Sequence, residues 1–273
     1  MKITNLNNTP IHTIPYKKVI PSRLHVEGVL PLQDHFWPVL EGKVDKLPDE
    51  LDALIVASDL QGHMEFDGGL KLMGEILPEE LKLLIEIEYP NLNIQNVGVM
   101  LCGDLFALEH RRGGIGDVRS VYHAFKKHFK WVAGVAGNHD MIGTENSKVK
   151  EFQFERDIYY FENGNKTISE LSISGVGGII GPIRKMNRWE EGDFLKAIKK
   201  QCLKKPDILL LHEGPDFVEN ELFGNSCVRE TLENSPATLV CFGHRHWETP
   251  FHTLSNGTQL LNLEERTVLL IRE

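Results

Sequence analysis

No stretch of the chain reaches the ~18 consecutive apolar residues that a membrane-spanning helix requires, which excludes a helical span. Cysteine is scarce: Cys102, Cys202, Cys227 and Cys241 are the only four in 273 residues. No two of them form a CxxC pair or stand at metal-ligand spacing, so neither a disulfide framework nor a thiolate metal site is expected. That pattern points to a reducing compartment, the cytoplasm. The opening residues, Met1 to Asn8, hold no apolar stretch of the kind a signal peptide needs. Positive charge is short as well, 30 Lys and Arg against 39 Asp and Glu, for a net charge of −9. Such a surface as a whole repels polyphosphate backbones. It argues against a general nucleic-acid binder, leaving only a local basic rim for such a partner. The glycine-rich run from Gly175 to Gly181 lacks the Lys-Ser/Thr of a phosphate-cradling loop and reads as a close backbone approach.

What is present is ordinary for a soluble globular protein: 41% hydrophobic and 25% charged residues, with enough length to bury a large core as one domain. Residues 1–50 carry no motif and are interrupted by Pro10, Pro15, Pro21, Pro31, Pro38 and Pro48. At most short strands are expected there, as an edge addition or partial cap on that single domain. His12, His25 and His35 stand alone and read as surface or loop residues.

From residue 53 onward, short apolar runs alternate with helical periodicity. Strands are expected at 53–57, 97–102, 131–136, 208–211 and 238–242. A helical pattern begins at Gly69, with a second helix opening at Pro78 and burying Leu81, Leu84 and Ile87. Further helices are expected over 118–129, 189–205 and from the cap Asn225 or Ser226 to Leu232. Residues 158–161 and 168–176 read as strands of a second sheet joined by a turn at 162–165. Residues 258–263 and 267–271 read as a closing hairpin.

Five polar blocks each follow one of the apolar runs. They are Ser58-Asp59-Leu60-Gln61-Gly62-His63, Gly103-Asp104, Gly137-Asn138-His139-Asp140, His212-Glu213 and Gly243-His244-Arg245-His246. Open α/β folds place their chemistry at strand ends, because side chains there reach one rim without disturbing the core. Taken singly, each block has a plainer reading as a turn, a cap or a packed histidine. Five at strand ends in one chain converge on a two-metal site.

Two divalent cations a few ångströms apart need a shared carboxylate and mixed nitrogen and oxygen ligands. Asp104 suits the bridge; Asp59 and His246 suit one cation, and Asn138, His212 and His244 the other. The donor set matches Mn first, or Fe, Zn, Ni or Mg, and not the all-oxygen cages of Ca. Between such cations a water loses its proton near neutral pH and becomes an in-line nucleophile on phosphorus. His139, next to a ligand and not needed as one, is the candidate general acid. Asp140, or Glu109 from the neighbouring loop, is the candidate to orient its imidazole. Arg111, Arg112 and Arg245, with Arg184 and Arg188, lie in loops able to reach a substrate phosphate. Trp189 and Trp247 read as packing residues.

Together these blocks resemble the signature of the calcineurin-like metallophosphoesterases, from about residue 53 to the carboxyl terminus. The resemblance implies an α/β fold of two mixed β-sheets packed face to face and flanked by helices, with a dinuclear site at one end of the sandwich. It also implies hydrolysis of phosphomonoesters, phosphodiesters or pyrophosphates. Two positions depart from the family pattern. Gln61 stands where the family usually has His, so Gln61 binds a metal directly or through water, or His63 replaces it. Glu109-His110-Arg111-Arg112-Gly113 has the chemistry of the family's acidic-Arg-Gly element at a longer spacing. The expected activity is a metal-dependent phosphohydrolase acting on a small phosphorylated molecule, nucleotides included. The alternatives are a nuclease-type phosphodiesterase, or a binding module in which Gln61 marks lost catalysis.

Overall fold

The computed structural model describes residues 1–20, 24, 31–110, 113–143 and 146–273. The chain opens with β1 (Ile3–Leu6), β2 (His12–Val19) and β3 (Leu32–Val44). The expectation of short strands on a flank is corrected here. Strand β3 runs for 13 residues inside the larger sheet, antiparallel to β2 and parallel to the C-terminal strand Arg266–Arg272. That partner comes from the far end of the chain, so local composition could not announce it. Burial of Trp37, Val39, Leu40 and Val44 in β3 outweighs the ladder donor lost at Pro38.

Strands β4 (Ala53–Ser58), β5 (His63–Phe66) and β6 (Gly69–Leu72) precede α1 (Met73–Glu88). Gly69–Leu72 pairs with β5, so the helix starts later than its periodicity suggests, and Pro78 lies within one continuous helix instead of opening a second. Leu77, Leu81, Leu84 and Ile85 are buried, whereas Ile87, expected inside, is exposed. Two residues beyond Ile85 lies the far side of a 3.6-residue turn. Next come β7 (Val97–Leu101), β8 (Gly116–Asp117), α2 (Arg119–His128), β9 (Trp131–Val135) and β10 (Asp140–Met141). Helix α3 (Asn146–Gln153) leads into β11 (Ile158–Phe161), which lies parallel to β9 in the larger sheet and not in a second one.

Strands β12 (Asn163–Ile168) and β13 (Leu171–Val176) form a hairpin, but its turn is Ser169-Glu170 and not residues 162–165. Both turn residues are left-handed, with φ of 45° and 62°, the geometry of a two-residue type I′ turn. Neither is the Asn or Gly that would have signalled it. The short pair β14 (Ile179–Ile180) and β15 (Arg188–Trp189) precedes α4 (Glu191–Cys202), β16 (Ile208–Glu213), α5 (Ser226–Glu233) and β17 (Leu239–Gly243). Asn225 caps α5, its side-chain oxygen accepting from Val228 N–H at 3.1 Å. Strands β18 (Phe251–Thr253), β19 (Gln259–Asn262) and β20 (Arg266–Arg272) end the chain. The expected closing hairpin does not form, because β19 pairs with β17 while β20 crosses to lie between β3 and β4.

Among the described residues, the larger sheet has ten strands in the order β11-β9-β7-β4-β20-β3-β2-β5-β6, with β1 paired to β3. The smaller has six, in the order β12-β13-β16-β17-β19-β18. Both mix parallel and antiparallel neighbours, and side-chain alternation explains their stacking. In β4, Ile55 packs under α1 and α2 with Leu77, Val121 and Phe125, while Leu54 and Val56 face the other sheet. In β16, Ile208 and Leu210 meet that inter-sheet core, while Leu209 and Leu211 pack under α4 and α5 with Phe194, Ile198 and Val228. Each such buried aliphatic side chain contributes ~1.5–3 kcal/mol. The expected two-sheet sandwich flanked by helices is therefore the observed architecture. No helix among the described residues is long and apolar enough to cross a membrane.

Candidate active site

Strands β4, β7, β9, β16 and β17 carry the five polar blocks. The ends of the parallel pairs β4–β7–β9 and β16–β17 bring those blocks to one rim. Asp59, Asp104 and His244 all sit in the left-handed region, with φ of 57°, 53° and 70°. Non-glycine residues held there cost free energy that the surrounding structure must supply, and they concentrate at functional sites. Two motif glycines make the crowding possible. A Cβ on Gly137 would lie 2.0 Å from Asp104 Oδ1, and one on Gly243 would lie 2.1 Å from Asp59 Oδ2.

Asp59, Gln61, Asp104, Asn138, His139 and His244 line a single hollow of ≈ 210 Å³. Donor atoms of Asp104, His212 and His244 lie within 4.8 Å of one another. Nε2 of the fully buried His212 is 3.3 Å from Asp104 Oδ2. The other Asp104 oxygen accepts the His139 backbone N–H at 2.9 Å. Gln61 Nε2 donates to the same Asp104 Oδ2 at 3.3 Å, which places the Gln61 amide on the wall of the hollow beside that carboxylate. Asp59 is held by the Ser58 hydroxyl at 2.7 Å and the His244 backbone N–H at 3.0 Å.

The electrostatics match this crowding. Burial opposes charge on His212, yet the adjacent Asp104 carboxylate lifts the imidazole to about 10. Burial likewise opposes ionisation of Asp104, but His212 and then His139 hold it down at about 2. Burial pushes Asp59 up to about 7, with the Asp104 charge adding to the effect. Burial and then the charge on His212 push His244 down to about 3.

Two buried atoms in this cluster make no well-formed hydrogen bond: Asn138 Oδ1, and His212 Nε2 despite its 3.3 Å approach to Asp104 Oδ2. Orphaned buried donors and acceptors are costly, so their placement beside Asp104 calls for a ligand. Both can offer a lone pair, His212 Nε2 once it gives up its proton, and with the Asp104 carboxylate they compose a nitrogen and oxygen set suited to a divalent cation. The residues present therefore fit a metal.

Other expectations are redirected. His139 presents Nε2 3.9 Å from Asp104 Oδ2, while its Nδ1 meets the carbonyl oxygen of Gly114 at 2.5 Å. The ring is thus oriented by a main-chain carbonyl and not by Asp140 or Glu109. The Asp140 carboxylate is buried and accepts the N–H groups of Leu105 and Gly137, at 2.7 and 2.8 Å, tying two site loops together. Burial and then the Asp104 charge raise its pKa to about 6. Glu109 is exposed and lines a separate hollow with the buried His63, whereas Gln61 lines the one with Asp104.

His246 is exposed, off the wall of the hollow, with Nδ1 2.6 Å from Glu264 Oε2. Arg245 is exposed as well, with its charge acting on His244 alongside that of Arg188. Arg111 and Arg112 lie outside the described residues. Trp247 is fully buried, as expected of a packing residue. Sequence reasoning passed over Asn187, whose amide donates to the carbonyls of Gly137 and Asp140, both at 2.7 Å. It also passed over Lys18, Glu264 and Glu265 on the wall of the hollow. None of these lies in a motif; only the approach of distant segments reveals them.

The sequence profile described as calcineurin-like phosphoesterase matches residues 53–248. The chain belongs to the calcineurin-like phosphoesterase family. It is a metal-dependent hydrolase of phosphoester bonds. No curated protein matches this phosphoesterase in sequence. Solved structures similar to it include a hypothetical protein from Thermus thermophilus, at 16% identity and a TM-score of 0.44, over 78% of this chain and 75% of that one. A novel archaeal phosphodiesterase aligns at 15% identity and a TM-score of 0.37, over 78% and 83% of the two chains. A protein of unknown function from Aquifex aeolicus aligns at 14% identity and a TM-score of 0.29, over 64% and 83%.

Proposed function

We propose that this phosphoesterase hydrolyses a small phosphorylated molecule, nucleotides among them, with His139 protonating the leaving oxygen. The observation that carries the reading is the pair of buried atoms without a well-formed hydrogen bond, Asn138 Oδ1 and His212 Nε2, gathered with Asp104 at a hollow that Asn138 and His139 line. Asp104 would bridge two cations, with Asn138, His212 and His244 on one side and Asp59 and Gln61 on the other. His246 joins the second set only by turning inward from Glu264. With an amide where imidazole is usual, that position is proposed to favour Mn. When bound, the cations would activate a water for attack on phosphorus and offset charge on the phosphoryl oxygens.

The chain's own groups do the rest. Nδ1–H of His139 donates to Gly114 O, which leaves Nε2 to carry and release a proton at the mouth of the hollow. Arg188 and Arg245, whose charges reach His244, are the proposed partners for phosphate oxygens on the side of the smaller sheet. The carboxylates of Glu264 and Glu265 at the wall disfavour a long polyanion, which supports a small substrate over a nucleic acid. Residues 1–50 add strands to the main sheet, which supports one catalytic domain spanning the chain. Four cysteines with no disulfide among them support a cytoplasmic setting.

The test is hydrolysis of phosphorylated metabolites, cyclic nucleotides and short oligonucleotides by protein loaded with each divalent metal. Turnover of small esters, strongest with Mn, is expected. His139→Ala should keep its metals and lose about 10²–10⁴-fold in turnover, most with poor leaving groups. Equal losses on good and poor leaving groups would remove the acid role. Activity confined to oligonucleotides would move the assignment to a nuclease-type phosphodiesterase.

A further inference from the structure

We propose that Lys18, delivered by β2 from outside the region shared with the family, is a substrate-phosphate-binding residue of this site. This rests on the phosphohydrolase reading above and adds a contact that the family motifs do not contain. Lys18 and Val19 line the same hollow as Asp59, Gln61, Asp104, Asn138 and His139. Among the described residues lining it, Lys18 is the one Lys or Arg, set against the carboxylates of Asp59, Asp104, Glu264 and Glu265.

Strand geometry explains how it gets there. Successive side chains on a strand project to opposite faces. Lys17 pairs with Asp34 at 2.8 Å and Glu65 at 3.2 Å on one face of β2. Lys18 is turned the other way and pairs with Glu265. Glu265 follows Glu264, whose backbone bridges Ser58, the residue before Asp59. The cation is therefore tethered to the turn that borders the candidate metal ligands.

An ammonium is a compact charge whose donors can meet a phosphate oxygen from several directions. Glu265 holds Lys18 in place and also competes with an incoming anion for it. Coulomb attraction scales with the charge on that anion. A phosphomonoester dianion therefore gains more from Lys18 than a diester monoanion, and the substrate class this residue selects is the small phosphomonoester.

The test compares the Mn-loaded full chain with its Lys18→Gln, Lys18→Arg and Glu265→Gln variants, with metal content checked by elemental analysis. Inorganic phosphate is titrated by calorimetry, and KM and kcat are measured on a monoester and a diester. Lys18→Gln should weaken phosphate binding and raise the monoester KM about tenfold, with a smaller rise for the diester and an unchanged kcat. Lys18→Arg should recover most of the loss, and Glu265→Gln should bind phosphate more tightly than the unchanged protein. Phosphate binding unaltered in Lys18→Gln, or weakened equally in Glu265→Gln, would show the pair to be a structural brace and overturn the proposal. If the protein hydrolyses no ester but its phosphate binding still depends on Lys18, the enzymatic reading fails and the Lys18 contact stands.

Discussion

Nδ1 of His212 lies 2.8 Å from the main-chain oxygen of Cys102, at the end of the neighbouring sheet. A carbonyl oxygen only accepts, so Nδ1 keeps a proton, and Nε2, which faces Asp104, is the atom that offers a lone pair once the imidazolium has lost its other proton. The two sheets thereby fix the tautomer of a metal ligand candidate through the backbone, where no substitution can remove it. His212→Ala should leave a folded protein that loses one metal equivalent on dialysis. The fall in affinity at that position should exceed the roughly 10–100-fold that follows loss of an outer-sphere partner. Full metal occupancy by elemental analysis would remove His212 from the ligand set.

Metal binding should release protons. At pH 7 His212, lifted to about 10, is protonated, burial favours the protonated form of Asp59, and His244, pushed down to about 3, is neutral. Coordination requires all three in their basic forms, so at least the His212 proton should leave at pH 7, with a further contribution from Asp59. Affinity should accordingly rise with pH until His212 has lost its proton near 10. Calorimetry in buffers of different ionisation enthalpy counts the protons. Release of none would mean that His212 and Asp59 are not coordinated.

Asp140 is assigned a scaffolding task. Its carboxylate ties the Gly103-Asp104 loop to the Gly137-Asn138-His139 loop through Leu105 and Gly137 N–H. Asp140→Ala strands both buried donors and should cost about 3 kcal/mol of stability. Denaturant unfolding measures this. A variant as stable as the parent but inactive would instead restore a direct role for Asp140 in turnover.

The β12–β13 turn stores avoidable strain. Glu170 is held at φ 62°, a conformation that costs an L-residue about 1–2 kcal/mol and glycine very little. Glu170→Gly should raise stability by about 1 kcal/mol, less the added flexibility of the unfolded chain, and leave turnover unchanged. A lower midpoint in urea would show that the turn is not strained.

Strand ends were legible in the sequence because a buried strand is a short apolar run, and the residue after it must face a loop. That places Asp59, Asp104, Asn138, His212 and His244 without any knowledge of pairing. Which sheet a strand joins was not legible: β11 and β20 went to the larger sheet because of partners far along the chain. Hairpin position was missed because Ser169-Glu170 carries no turn signature. The orientation of His139 escaped too, since a carbonyl such as Gly114 O has no identity in a sequence.

The order of residues by itself determined the family, the layered α/β class and most of the cluster around Asp104. These depend on residue type and on spacing within single strand-and-loop units, which are local quantities. Tertiary structure alone decided that His246 turns to Glu264, that Gly114 holds His139, and that Lys18 from the first strands reaches the wall of the hollow. Each of these arises from segments distant along the chain meeting in space. The energy of such a meeting resides in the pairing of β20 with β3 and β4 and in the inter-sheet core, and no local pattern encodes it.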